Sequence, residues 1–252
     1  MMRTCEQAIA NGLPAVAFTE HLEFTSGGDG DAIIGVAADA RWWSRIKLLD
    51  VPGYLAAISE CRERFPDLRI LAGVEAGEVH LFAGSAAAII RGRDWDRVLG
   101  SLHAVPYQGR LIAADALFSH LPEDAAMRYY FEELLLLIEG SDMFEVLAHP
   151  DFPRRYWPSG PHRYQEKLYE EEYRTAFRAL AASGRVLEIN TKSPLSSVEL
   201  VSWWREAGGR AVSFGSDAHF PDRVGARFKQ AVDIVEAAGF RPGRDQFDFW
   251  RA

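Results

Sequence analysis

Cysteine is almost missing from this chain. Cys5 and Cys61 are the only two in 252 residues, which excludes a disulfide framework and a cysteine-rich zinc site. Long apolar runs are missing as well. No stretch approaches the roughly 20 apolar residues of a membrane span, and the N-terminal MMRTCEQAIANG lacks the apolar core of a signal peptide, so a cytoplasmic protein is expected. There is no basic excess: 36 acidic residues face 28 basic ones, for a net charge of −8. No basic stripe interleaved with aromatics is present either, and both absences weigh against nucleic acid as a partner. Internal repeats and low-complexity tracts are absent. What remains is ordinary for a protein with a sizeable core, 48% hydrophobic and 25% charged. The length suits one domain of β/α-barrel size and would also hold two small ones; we take residues 1–252 as a single domain.

The pattern that is present is an alternation. Short segments rich in β-formers, Ala15–Glu20, Arg69–Glu75, Arg97–His103, Glu145–His149, Val186–Thr191 and Ala211–Ser216, are followed by amphipathic stretches. Helices are expected over Arg3–Asn11, Gly53–Phe65, Ser85–Arg91, Glu123–Glu139, Tyr164–Ser183, Ser197–Ala207 and Ala226–Ala238. Strands alternating with helices imply an α/β fold with a parallel sheet. One segment, Thr25–Val51, breaks the alternation with GGDGD and the pair Trp42–Trp43. Its length fits a lid over a site or a plain surface insertion equally well.

The polar residues fall at informative places. His21 follows the first strand, Glu75, His103 and His149 end the next three, and Asp217 and His219 follow the last. In a β/α barrel all strand C-termini open on one face, where active sites are built, so these six side chains would meet at one mouth. Four imidazoles and two carboxylates suit Zn²⁺, Mn²⁺ or Fe²⁺. Paired ions clamp the attacking and leaving oxygens in phosphoryl hydrolysis, so metal-assisted hydrolysis is favoured over a nucleophilic triad. Any one of these residues alone reads as a hydrogen-bonded rim or core group; the joint pattern carries the argument. His80, His120 and His162 lie off the strand ends and are left out. Of Glu75 and Glu78, either of which would pass as a solvated rim, only Glu75 ends a strand.

The motifs TEH (Thr19–His21), GVE (Gly73–Glu75), GSLH (Gly100–His103), AHPD (Ala148–Asp151), EINT (Glu188–Thr191) and GSDAH (Gly215–His219) resemble, in order, those of the PHP (polymerase and histidinol phosphatase) superfamily, and the layout is most similar to its histidinol-phosphatase branch. The resemblance covers residues 3 to about 240. It implies a distorted (β/α)₇ barrel with up to three divalent ions at its mouth. Glu75 would bridge two ions, His103 and His149 would complete one, Asp217 would join the ion sharing Glu75, and His21 and His219 would hold the third. Glu75, Asp217 and His219 would then be the catalytic set. The implied reaction is phosphomonoester hydrolysis by metal-activated hydroxide, and the named substrate of that branch is L-histidinol phosphate, in histidine biosynthesis.

The chain departs from the family in one respect. Family members open with a strand carrying an H-x-H motif and a further His shortly after it, whereas this chain begins at what looks like the family's first helix. Only the ion of Glu75, His103 and His149 keeps its full protein set. We expect an in-frame H-x-H strand upstream of Met1, with a genuine loss as the alternative. Arg154, Arg155 and Lys192, just past the fourth and fifth strands, are the candidates for binding the phosphate. Tyr156, Trp157 and Trp42–Trp43 would wall a pocket for an imidazole-bearing substrate or serve as packing, and Asp151 would orient a ligand histidine from behind. The expected partner is therefore a small phosphorylated substrate, with no membrane and with self-association left open. The competing functions are a PHP phosphoesterase for nucleotides or oligonucleotide ends, and a non-catalytic metal-binding protein.

Overall fold

The computed structural model describes residues 1–24, 35–36 and 49–252. The lid-or-insertion alternative for 25–51, with Trp42 and Trp43, falls almost wholly outside the described residues. Helix α1 (Met2–Ala10) ends at Asn11 and Gly12, the glycine taking a left-handed φ of 70° just past the last turn. Strand β1 (Ala15–Leu22) follows, then the short β2 (Gly35–Val36) and α2 (Val51–Arg64). The Asp50 side chain caps α2 by accepting from the Gly53 N–H, with Pro52 in the first turn.

Next come β3 (Arg69–Gly77), α3 (Ala83–Ile90), β4 (Arg97–Ser101) and the hairpin β5 (Ala104–Tyr107) and β6 (Arg110–Ala113). Gln108 and Gly109, both at positive φ, form the hairpin's two-residue turn. The chain continues through α4 (Glu123–Gly140), β7 (Val146–Leu147), α5 (Glu170–Ala182), β8 (Val186–Asn190), α6 (Val198–Glu206), β9 (Ala211–Gly215), α7 (Phe228–Ala237) and β10 (Trp250–Arg251).

The main sheet runs β1-β3-β4-β7-β8-β9-β10. The first six are parallel, as the alternation implied, and β10 pairs antiparallel with the foot of β9. Side chains alternate across the sheet. Val74, Ala76, Leu147, Leu187, Ile189 and Val212 face the helices in the large core, whereas Leu99, Val146, Ala148, Val186 and Ala211 gather on the other face around Phe249. Trp204, fully buried on α6, donates its indole N–H to the Ala211 carbonyl at 3.0 Å and ties helix to strand. Truncating a side chain of that size in a core costs about 3–5 kcal/mol.

Among the described residues the sheet curls without closing: β1 has one sheet partner, β3, and its other edge faces β9 across a cavity of about 420 Å³. That cavity runs from Met1, Thr4 and Leu13 at one end to His21, Asp217 and His219 at the other. The expected seven-stranded barrel short of its first strand is therefore present as six parallel strands around an open side. No described helix is long and apolar enough to cross a membrane.

Candidate metal centre

The register of the parallel strands sets the site. His21 lies directly opposite Glu75 in the β1–β3 pairing, and His103 and His149 sit just past the ends of β4 and β7. Glu75 Oε1 lies 2.7 Å from His149 Nε2 and 3.2 Å from His103 Nε2, and the two imidazole nitrogens are 3.3 Å apart. The other oxygen, Oε2, faces His21 Nδ1 at 3.8 Å. Glu75 thus reaches inward with one oxygen and outward with the other.

This triangle fits a divalent ion. Its donor atoms lie within 4.8 Å of one another, and all three residues are buried. The edges approach the donor spacing of about 3.3 Å that 2.0–2.1 Å bonds produce in tetrahedral coordination. His149 Nδ1 is buried and has no hydrogen-bond partner among the described residues. Imidazole and carboxylate donors suit Zn²⁺, Mn²⁺ and Fe²⁺ alike.

The electrostatics follow from packing carboxylates and imidazoles together out of water. Burial opposes charge on Glu75, but His21 and His103 hold its carboxyl well below the usual range. Burial would lower His103, yet Glu23 and Glu75 raise it well above an ordinary histidine. His21 is raised against the pull of burial, chiefly by Glu75 and Glu23. His149 is lowered by burial and by the nearby Arg155 cation.

The outer residues are arranged differently. The His21 and His219 rings are 5.8 Å apart, centre to centre. Asp217, in the left-handed region at φ 48°, forms ion pairs with Arg155 Nη2 at 2.6 Å and Lys192 Nζ at 2.8 Å. Burial would raise the Asp217 carboxyl; Arg155 and the other neighbouring cations bring it below the ordinary value. Lys192 Nζ also reaches His219 Nδ1 at 3.2 Å. The six expected ligands therefore occupy one mouth, and two of the three expected phosphate-binding cations stand beside it.

Arg154 stands apart. Its guanidinium donates to Asp151 at 3.1 Å and Glu166 at 2.7 Å and lies over the Tyr164 ring. Asp151 accepts from Arg154 and from the Tyr173 hydroxyl, so it braces this arginine; the backbone N–H of His149 goes to Glu188 at 2.9 Å. Trp157 donates to the His162 carbonyl and packs on Phe118 and Tyr164, which makes it a packing residue, while Tyr156 is exposed beside Phe152. His80 pairs with Glu133 at 2.7 Å, and the His120 ring lies 5.2 Å from that of Tyr107.

Three acidic residues enlarge the site beyond the sequence expectations. Glu188, on β8, is buried and lines the cavity, and burial, helped by Asp217, lifts its carboxyl to about 7. Gly215 admits it, since a Cβ there would sit 1.8 Å from Glu188 Oε1. Glu78 is fully buried, not a solvated rim: Oε1 accepts the backbone N–H groups of His103 and Ala104, and burial beside Glu23 lifts its carboxyl to about 8. Glu23, also buried, accepts from His21 and His103. Its signal in the sequence was spacing: two residues past His21 puts it on the same face of an extended chain.

Known proteins resemble this chain in sequence and in fold. The model of the PHP domain matches residues 1–192. A histidinol-phosphatase of Lactococcus lactis subsp. lactis is 26% identical over 246 residues, spanning 93% of this chain and 83% of that protein. A Deinococcus radiodurans protein named "Probable histidinol-phosphatase" is 28% identical over 250 residues, spanning 94% and 86%. Among solved structures, the histidinol phosphate phosphatase of Lactococcus lactis, complexed with zinc, L-histidinol and phosphate, superposes with a TM-score of 0.79 at 24% identity, covering 95% of this chain and 87% of that one.

Proposed function

Since this chain belongs to the PHP domain family, we propose that it is a metal-dependent phosphomonoesterase whose substrate is L-histidinol phosphate, cleaved by water to L-histidinol and phosphate. The observation that carries the reading is the buried Glu75–His103–His149 triangle at the mouth of a cavity, with the cations Arg155 and Lys192 beside it. The substrate class is supported by relatives that span nearly the whole chain and bear that activity in their names.

Divalent ions supply Lewis acidity to a phosphoryl oxygen and make water acidic enough to attack at neutral pH. Glu75, His103 and His149 would hold the inner ion. Asp217, His21 and His219 would supply donors on the outer side, with Glu75 spanning both through its two oxygens. Arg155 and Lys192 bind the remaining phosphate oxygens through charge-assisted hydrogen bonds. Burial of the triangle excludes bulk water from one side of the site and strengthens each of these interactions. Arg154 holds Asp151 and Glu166 in place, beside the turn that carries Arg155.

The test is a paired measurement on the full chain. Metal content is determined first, and phosphate release is then compared for histidinol phosphate, an aryl phosphate, a nucleoside monophosphate and a short oligonucleotide. Histidinol phosphate is expected to lead. A nucleotide in first place would move the substrate to nucleotides, and two bound ions with no turnover would leave a metal-binding protein.

A further inference from the structure

The inner triangle needs its imidazoles turned the right way, and one buried carboxylate behind it is built to do that. Glu23 lies just past β1 with its side chain wholly removed from solvent. Its Oε1 sits 2.9 Å from His103 Nδ1 and 3.1 Å from His21 Nδ1. The opposite nitrogen of His103, Nε2, points at Glu75 and His149. Ser101 Oγ lies farther from His103 Nδ1, at 3.5 Å. One carboxylate oxygen thus meets Nδ1 of two rings, and in His103 it does so from the rear while the front faces the donors.

We propose that Glu23 is a positioning residue: it holds the Nδ1–H of His103 and His21, fixing ring rotation and tautomer so that Nε2 of His103 is presented to the metal. A histidine that ligates through one nitrogen commonly gives the other N–H to a carboxylate, and losing that partner typically costs 10–100-fold in metal affinity. The proposal rests on the metal reading of the site and adds a residue to it.

Glu23 meets His103 on the Nδ1 side, opposite the Nε2 that meets Glu75 and His149. Glu23 is also seated by the backbone: Gly77, beside it on β3, has no Cβ, and one built there would lie 2.3 Å from Glu23 Oε2. A side chain at 77 would push the carboxylate off both rings while leaving all six candidate ligands in the sequence.

The experiment titrates Zn²⁺ into the full chain against a chromophoric chelator for the wild type, Glu23→Gln, Glu23→Leu and Gly77→Ala. Long-range ¹H–¹⁵N NMR reads the imidazole tautomers, and circular dichroism checks folding. Glu23→Leu is expected to weaken the tightest site about 10–100-fold, with the number of ions unchanged and the His103 signal spread over more than one ring state. Glu23→Gln, which keeps an acceptor oxygen, should recover part of the loss, and Gly77→Ala should shift affinity in the same direction as Leu. Should the leucine variant fail to fold, the near-isosteric Gln and the Gly77 variant carry the test.

Equal affinities and unchanged ring signals across the variants would overturn the proposal and leave the metal reading intact. Loss of one ion per chain would also overturn it, making Glu23 a ligand. A wild type that takes up no Zn²⁺ would sink the metal reading and this proposal together.

Discussion

The inner and outer halves of the site use the same residue types and are built very differently. In the inner half Glu75, His103 and His149 come from β3, β4 and β7, which are hydrogen-bonded neighbours in the sheet. Their side chains are at most 10% exposed, and Glu23 and Glu78 brace His103 from behind. In the outer half His21 and Asp217 stand on β1 and just past β9, strands that no sheet hydrogen bond joins among the described residues. The His219 side chain is 52% exposed, and Asp217 is engaged by two cations. The difference teaches that donor geometry is inherited from strand pairing. Where the backbone ladder is continuous the donors stand at ion-binding spacing, and where it is interrupted Asp217 is held by the charged side chains of Arg155 and Lys192 instead.

The comparison can be broken at its shared residue first. Glu75→Gln should cut phosphate release by at least about 10³-fold and lower metal content on both sides, because one oxygen serves each half. A full complement of metal in that variant would show that the halves do not share the carboxylate. Next, His103→Ala should lose about 10²–10³-fold in turnover and His219→Ala only about tenfold, since the exposed histidine leaves the inner triangle complete. Equal losses would erase the distinction between the halves.

Arg155→Ala sharpens the view of the cations. A charge-assisted hydrogen bond to phosphate is worth about 1.5–3 kcal/mol, so the Michaelis constant for histidinol phosphate should rise roughly 10–100-fold, with the inner ion still bound. Arg154→Ala should act less on the Michaelis constant and more on stability, because its partners are Asp151 and Glu166. The reverse ranking in kinetics would exchange their roles.

The smallest effect is a pH dependence of the chelator-treated protein. Glu23 is held at about 2 against an ordinary 4.5, chiefly by His103 once the opposing effect of burial is overcome. The stability it contributes is present above 4.5 and lost as pH falls toward 2. His103 is raised above 6.5, so its contribution is full below 6.5 and lost as pH rises through its folded value. Glu78, raised to about 8, acts in the same sense, with its contribution lost between 4.5 and 8. The melting temperature should therefore peak between 4.5 and 6.5 and decline on both sides, with a weaker alkaline decline in Glu23→Gln. A flat profile from pH 6.5 to 9 would show that the inner cluster is not coupled to folding.

Much of this architecture was legible in the residues. The six parallel strands of the main sheet and the seven α-helices among the described residues follow from apolar periodicity and from glycine stops, such as Gly12 after α1. The ligand candidates followed because a strand ending in His, Asp or Glu in a parallel barrel can point to only one face. Other features were not legible. The β5–β6 hairpin hid because the expected strand stopped at His103 and four-residue strands leave little alternation to read, and β10 because two residues carry no periodicity. Glu78 read as solvated because an acidic residue beyond a strand usually is; its burial depends on the His103 and Ala104 amides, which arrive from 25 residues away.

The sequence alone determined the alternation of elements, and with it the sheet direction, the shared face and the donor chemistry, because these rest on local periodicity and residue type. The tertiary structure alone decided which donors touch: Glu75 between two imidazoles, Arg155 on Asp217 and Arg154 on Asp151, Glu23 behind His103. Those contacts depend on strand register and on the curl of the sheet, and both arise from the packing of segments far apart in the chain.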